Sequence, residues 1–230
     1  MREIVLGGKN AIELLLSFDQ EIYQIIFLSL YVSLTSTFLS TLLAVPAGIF
    51  LGLVDFKGKG IFVRLLYTMM SLPPVIAGLI VFLFISRKGP LGFLGLSFTP
   101  TAMIIAQVCL VTPIITGLVY NGTKDKGQHV KMLGKTLGAN RFQTLILLIS
   151  ELRLNIFTAV ITGYGRAVSE VGAVMIVGGN IKGRTRVMTT AIAMLQNMGD
   201  YSKAIAIGIV LLLLSFIING VLYHFQQQGE

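Results

Sequence analysis

Charge is scarce in this chain: Asp, Glu, Lys and Arg make up 12% of its 230 residues, where a soluble domain carries roughly 25%. There is no tryptophan, one cysteine and two histidines. Cys109 lies within an apolar stretch, which excludes an internal disulfide and suggests no redox role. His129 and His224 are far apart and lack carboxylate or thiol neighbours at ligand spacing, so no metal site is expected. No serine occupies a nucleophile-elbow pattern. Gly134-Lys135-Thr136 looks like the end of a phosphate-binding loop, but His129 stands where the leading glycine belongs. The chain is therefore expected not to be an enzyme and to hold no cofactor of its own. It also lacks tandem repeats, low-complexity tracts and linkers, so residues 1–230 read as one domain.

Apolar residues dominate: hydrophobic residues are 54% of the chain, and its mean hydropathy is +0.83. These values describe an integral membrane protein. The apolar run after Arg2 and Lys9 is too long for a signal peptide and has no small-residue cleavage site, so it is expected to remain as an anchor. A span needs about 20 apolar residues. Five stretches qualify, at residues 22–53, 61–85, 98–120, 154–177 and 204–225. Residues 142–150 are also apolar but too short to cross, and Glu151 and Arg153 cut them off; an interfacial elbow into the fourth span is expected. The net charge of +8 points to loop anchoring, a partner surface or an anionic substrate. The loop cations do not fix orientation. Lys57, Lys59, Lys124, Lys126, Lys131, Lys135 and Arg141 on one side face Arg2, Lys9, Arg87, Lys88, Lys182, Arg184, Arg186 and Lys203 on the other.

Between the third and fourth stretches lies a basic, glycine-punctuated segment, residues 129–151. Val130, Leu133, Gly134 and Leu137 recur at i, i+3, i+4 and i+7, which predicts a short amphipathic helix. Lys131 and Lys135 lie off that stripe, and Gly138 is a left-handed stop. Such a helix can lie on lipid headgroups, join two spans, or dock in a groove on a soluble partner.

Polar residues inside the spans are few and patterned. Ser29, Ser33, Ser36, Thr37, Ser40 and Thr41 form a hydroxyl stripe, read either as close helix packing or as a wall of a translocation path. Thr162, Arg166, Ser169 and Glu170 share one face of the fourth span. Opposite charges there cost several kcal/mol unless paired or wet, and Arg166 can pair with Glu170. Pro73-Pro74 and Pro113 are expected to interrupt their helices and free backbone carbonyls. Lys182, Arg184 and Arg186 either lie in a solvated loop or steer an anion inward.

These residues carry a resemblance. Residues 135–150, KTLGANRFQTLILLIS, resemble the coupling motif of ABC importer permeases, with Gly138 at the motif's glycine. Met132, Leu133 and Gly134 replace its EAA triplet, and Ser150-Glu151 its closing Leu-Pro. Residues 165–180, GRAVSEVGAVMIVGGN, are similar to the Arg…Ser-Glu-Phe-Gly-Ala signature of molybdate, tungstate and sulfate permeases, with Val171 for Phe. Residues 71–79, SLPPVIAGL, match the second-span pattern of that group, and NIKGRTRVMTTAI after the signature looks most like the tungstate-uptake members.

The resemblance implies an all-α integral membrane protein of the type I ABC importer permease fold. It would have five transmembrane helices and a short cytoplasmic coupling helix. It further implies a homodimer in the inner membrane, N-terminus outside and C-terminus cytoplasmic. Two cytoplasmic ATPase subunits would hold ATP and Mg, and an extracytoplasmic binding protein would deliver the oxyanion. Val130, Lys131, Leu133, Lys135, Leu137, Gly138 and Arg141 are then expected to couple to the ATPase. Ser33, Thr37, Ser40, Thr162, Arg166, Ser169 and Glu170 are expected to line the path or gate.

Overall fold

A computed structural model describes residues 19–227. The first helix, α1 (Gln20–Leu53), starts where the Asp19 carboxylate accepts hydrogen bonds from the Glu21 and Ile22 amides. At about 1.5 Å per residue it is roughly 50 Å long, longer than the ~30 Å hydrocarbon layer. A turn leads to α2 (Lys59–Met70) and α3 (Pro74–Ile85). These two meet at 101° across Ser71–Pro73. The second predicted span is thus two half-length helices and not one kinked helix. Pro73-Pro74 removes two consecutive amide donors and biases Leu72 away from helical geometry, so the chain turns there.

After a 3₁₀ turn (Gly92–Leu94) comes α4 (Pro100–Thr136), capped by Thr99. Two expectations fail on it. Pro113 does not interrupt the helix, which runs through it; one lost hydrogen bond is tolerated where the residue is buried against neighbouring helices. The amphipathic segment beginning at Val130 is not a separate helix either, but the last turns of α4. The predicted stop holds, since Gly138 has φ +72°. Its amide bonds the Lys135 carbonyl at 3.1 Å and the Ala139 amide the Gly134 carbonyl at 2.8 Å, the paired bonds of a Schellman closure.

Asn140 and Gln143 then form a capping box that starts α5 (Arg141–Glu151). It meets α6 (Arg153–Val168) at 63°, the elbow foreseen at residues 142–150. The fourth predicted span does not run unbroken to Val177. It stops at Val168, resumes as α7 (Gly172–Gly178), and leaves Ser169–Val171 outside helix. The described residues end in α8 (Met188–Met198) and α9 (Tyr201–Gln227). Among the described residues, α1, α4 and α9 are long and apolar enough to cross a membrane alone. The bent pairs α2–α3 and α5–α6 bring the total to as many as five.

The core centres on α4. Buried residues of α1 recur every three to four positions from Ile22 to Gly52 and pack along it. Gly48 and Gly52 make the closest approach: a Cβ on Gly48 would lie 2.8 Å from Val119 Cβ, and one on Gly52 would collide with Thr123. The hydroxyl stripe therefore continues as Ala44, Gly48 and Gly52, a seam of small residues that lets two helix backbones come together. One cluster packs α3, α4 and α7 around Val81, Met103 and Val174. A second joins α4, α5 and α6 around Ile115, Leu148 and Leu152. A third joins α1, α8 and α9 around Ile22, Met188 and Ile207. Outward faces stay apolar, with Phe27, Phe38, Phe93 and Phe216 each more than half exposed. In water such faces would be a liability; in lipid they are the natural surface.

Candidate functional site

The break between α6 and α7 holds a buried polar network. Glu170 is 3% exposed. Its Oε2 lies 2.8 Å from Nη1 of Arg166, whose side chain is 36% exposed, so the predicted pair exists with one partner inside and one at the surface. The other carboxylate oxygen accepts from the Ala173 amide at 3.1 Å, capping the first turn of α7. The Thr189 hydroxyl on α8 donates to the Glu170 carbonyl at 2.7 Å. A buried carboxylate is tolerable when its charge is matched and its lone pairs are filled, and both conditions are met.

Gln107, which drew no attention in the sequence, ties this break to α1. Its side-chain amide donates to the Ala167 carbonyl at 3.0 Å and its oxygen accepts from Ser36 at 2.6 Å. Ser29 accepts from the Met188 amide at 2.7 Å. The signal for Gln107 was a lone amide in the apolar stretch of α4 before Asn121, which must find partners when buried.

The predicted path residues divide into two groups. Ser33, Thr37 and Ser40 are buried and face the α1–α4 packing seam; Thr37 donates to the Ser33 carbonyl at 2.7 Å. Their burial favours the packing reading. Thr162 and Ser169 are exposed, though their hydroxyl protons already bond the carbonyls of Thr158 and Gly165. Of these path residues only Arg166 offers cationic donors at the surface. Inside the network the cavity bounded by Ser33, Gln107, Glu170 and Thr189 is about 10 Å³, room for at most one water. A hydrated dianion does not fit in this cavity.

At the far end of α4 the stripe predicted to couple is split. Val130 and Gly134 are buried, Gly134 against Thr144 of α5, while Leu133 and Leu137 are exposed at 57% and 73%. The expected continuous apolar stripe is thus shared between an internal contact and an outward patch that includes Met132 and Phe142. Lys131 and Lys135 line a groove of about 750 Å³ with Val54, Asn140, Thr144 and Leu145. On its rim Lys59 bonds Asp55 at 2.9 Å. That bond and its charge hold the Asp55 carboxyl below the usual range, with a smaller contribution from Lys131. Arg141 opens α5.

A bundle of broken apolar helices, with a buried ion pair at one break and a basic, apolar-patched turn at the other end, defines a membrane transport component. The chain belongs to the family of binding-protein-dependent transport system inner membrane components, whose pattern matches residues 44–228. It is a type I permease of an ABC transport system, an inner-membrane protein. Among relatives, it is 54% identical over 228 residues to the tungstate uptake system permease protein TupB of Peptoclostridium acidaminophilum, covering 99% of this chain and all of that one. It is 37% identical over 221 residues to the protein of the same name from Campylobacter jejuni, covering 96% and 92%. The molybdenum transport system permease protein ModB of Azotobacter vinelandii is 27% identical over 204 residues, covering 85% and 90%.

Proposed function

We propose that this chain is the permease subunit of an ATP-driven importer of tungstate. The observation that carries this is the 54% identity to a tungstate-named permease along 99% of the chain, against 27% to the molybdenum-named one. Tungstate, molybdate and sulfate are similar tetrahedral dianions, and the last two are the alternative substrates. In this reading two copies pair, so that the Thr162–Arg166–Ser169 face of each borders a shared path. The small internal cavity supports a route between chains over one through a chain. The N-terminus faces out, and the turn at Leu137–Asn140 faces the cytoplasm.

Each of two ATPase subunits, which hold ATP and Mg, receives the outward patch of Met132, Leu133, Leu137 and Phe142. Lys131, Lys135 and Arg141 add charge to that contact. ATP-driven closure of the ATPases moves the α4–α5 ends as rigid bodies and switches access. A separate oxyanion-binding protein supplies the substrate, because a tight site in the conduit would slow release.

The test is reconstitution in sealed vesicles. With ATPase and binding protein present, tungstate uptake should require ATP; this chain alone should carry none. Flux from the chain alone would instead identify a self-sufficient carrier.

A further inference from the structure

Far from the coupling turn, three cations alternate in the loop between α7 and α8: Lys182, Arg184 and Arg186. The loop is rigidly made. Gly179, Asn180 and Gly183 take left-handed conformations, and the amides of residues 184, 185 and 186 all converge on the Ile181 carbonyl at 3.0–3.1 Å. Thr185, 1% exposed, accepts from the Ile181 amide at 3.0 Å and donates to the Gly178 carbonyl at 2.6 Å. The backbone that carries the three cations is therefore set before any ligand arrives.

Opposite them stands Glu21, in the first turn of α1. Lys182 reaches its carboxylate at 2.7 Å, but Arg186 only at 3.3 Å, beyond the ~2.7–2.9 Å of a good charge-assisted bond. The Arg186 side chain is 14% exposed. Its Nε is buried and has no hydrogen-bond partner among the described residues. The Arg184 guanidinium is exposed and has no ion-pair partner among them. Among the described residues, three cations stand against Glu21 and the nearby Asp19, whose carboxylate also caps α1, leaving one positive charge in excess. Glu21 and the three cations border a cavity of about 200 Å³ floored by Ile25, Phe27 and Leu28, room for several waters at ~30 Å³ each. An incompletely satisfied arginine, a set of cations on a fixed backbone and an apolar floor suit an anion with more oxygens and more charge than one carboxylate.

We propose that Lys182, Arg184 and Arg186 form a receiving site for a tetrahedral dianion, in which the Glu21 carboxylate is a built-in surrogate that the dianion displaces. The dianion's oxygens meet the Arg186 Nη donors that Glu21 releases and bring Arg184 into the cluster, which the two oxygens of Glu21 do not do. The dianion's identity as cargo rests on the function proposed above. The site differs from the Arg166–Glu170 break in position and residues. A purely mechanical clasp between loop and α1 would use the same ion pairs but would bind nothing.

The experiment titrates the full permease, assembled with its ATPase in lipid nanodiscs without binding protein, with sodium tungstate by calorimetry at constant ionic strength. Wild type should bind, with sulfate competing and nitrate not. Glu21→Gln should tighten binding by about fivefold and Arg184→Ala weaken it by about as much, the factor one partly exposed ion pair supplies. Thermal unfolding of each variant reports its folding. No binding by folded wild type would overturn the site. So would unchanged affinity in both variants, or equal competition by nitrate, which would indicate diffuse attraction only. ATP-driven tungstate uptake with the complete importer is read in parallel. Absent wild-type uptake refutes the proposed function; normal uptake with unchanged variant affinities refutes this site alone.

Discussion

The Thr189 hydroxyl donates to the carbonyl of Glu170, nineteen residues earlier, at 2.7 Å. This bond fastens α8 to the break between α6 and α7, where a main-chain acceptor is buried without a helical donor. Thr189→Val keeps the shape and removes the donor, and should cost about 1–2 kcal/mol of stability. Thermal unfolding in detergent measures it; an unchanged midpoint would mean water replaces the hydroxyl.

Arg166 and Glu170 should behave as a coupled pair. Arg166→Ala leaves a buried carboxylate without its counter-ion and should destabilise by about 2 kcal/mol, below the ~3–5 kcal/mol of a fully buried pair because Arg166 is partly solvated. Adding Glu170→Gln should recover much of that loss, since the amide oxygen can still accept from Ala173 N. A double-mutant cycle on unfolding midpoints reads the coupling. Uptake should fall in both Arg166→Ala and Glu170→Ala. If it persists at equal expression, the pair is structural and not part of the path.

Gln107→Leu should lower stability by about 1 kcal/mol, because it removes two buried bonds while the Ala167 carbonyl keeps the Glu170 amide at 3.3 Å and the Ser36 hydroxyl keeps the Ser33 carbonyl at 3.1 Å. Ser36→Ala with Gln107→Leu should be less than additive, as the two share one network. Full additivity of the midpoints would count against that network.

Two glycines give opposite expectations. A Cβ on Gly78 would stand 2.6 Å from the Ala173 Cα and 3.0 Å from its carbonyl oxygen, so Gly78→Ala must push α3 off α7, at about 1–3 kcal/mol. Gly165, within α6, has nothing within 4 Å of such a Cβ. Gly165→Ala should be neutral or stabilising by up to about 1 kcal/mol through helix propensity. Equal effects on the unfolding midpoint would contradict the α3–α7 contact.

Gly138→Asp tests coupling. The residue needs φ +72°, which a side chain disfavours by roughly 1–2 kcal/mol, and a carboxylate beside Lys135 alters the turn's charge. Substrate-stimulated ATP turnover should be lost while the membrane portion stays folded. Retained stimulation would remove this turn from the mechanism.

Much of this protein was legible without coordinates. The apolar lengths of α1, α4 and α9, the Gly138 stop and the Arg166–Glu170 pair follow from local rules: transfer energy summed along a segment, backbone sterics at one residue, and a four-residue reach on a helix face. Two local expectations went astray because neighbours decided them. Pro113 leaves α4 continuous because surrounding helices support the lost bond, and the Val130–Leu137 stripe is split because Gly134 is claimed by Thr144. Gln107, Thr189 and the Glu21 clasp join positions far apart in the chain, and no periodicity reveals such meetings.

Sequence alone determined that the chain enters lipid, that a helix stops at Gly138, and which charges need partners, since each depends on the chemistry of adjoining residues. Tertiary structure alone decided that most of the hydroxyls of α1 face a helix seam and that Glu170 lies inside while Arg166 reaches the surface. These depend on which surfaces pack together, and packing is settled by shape and burial across the whole molecule.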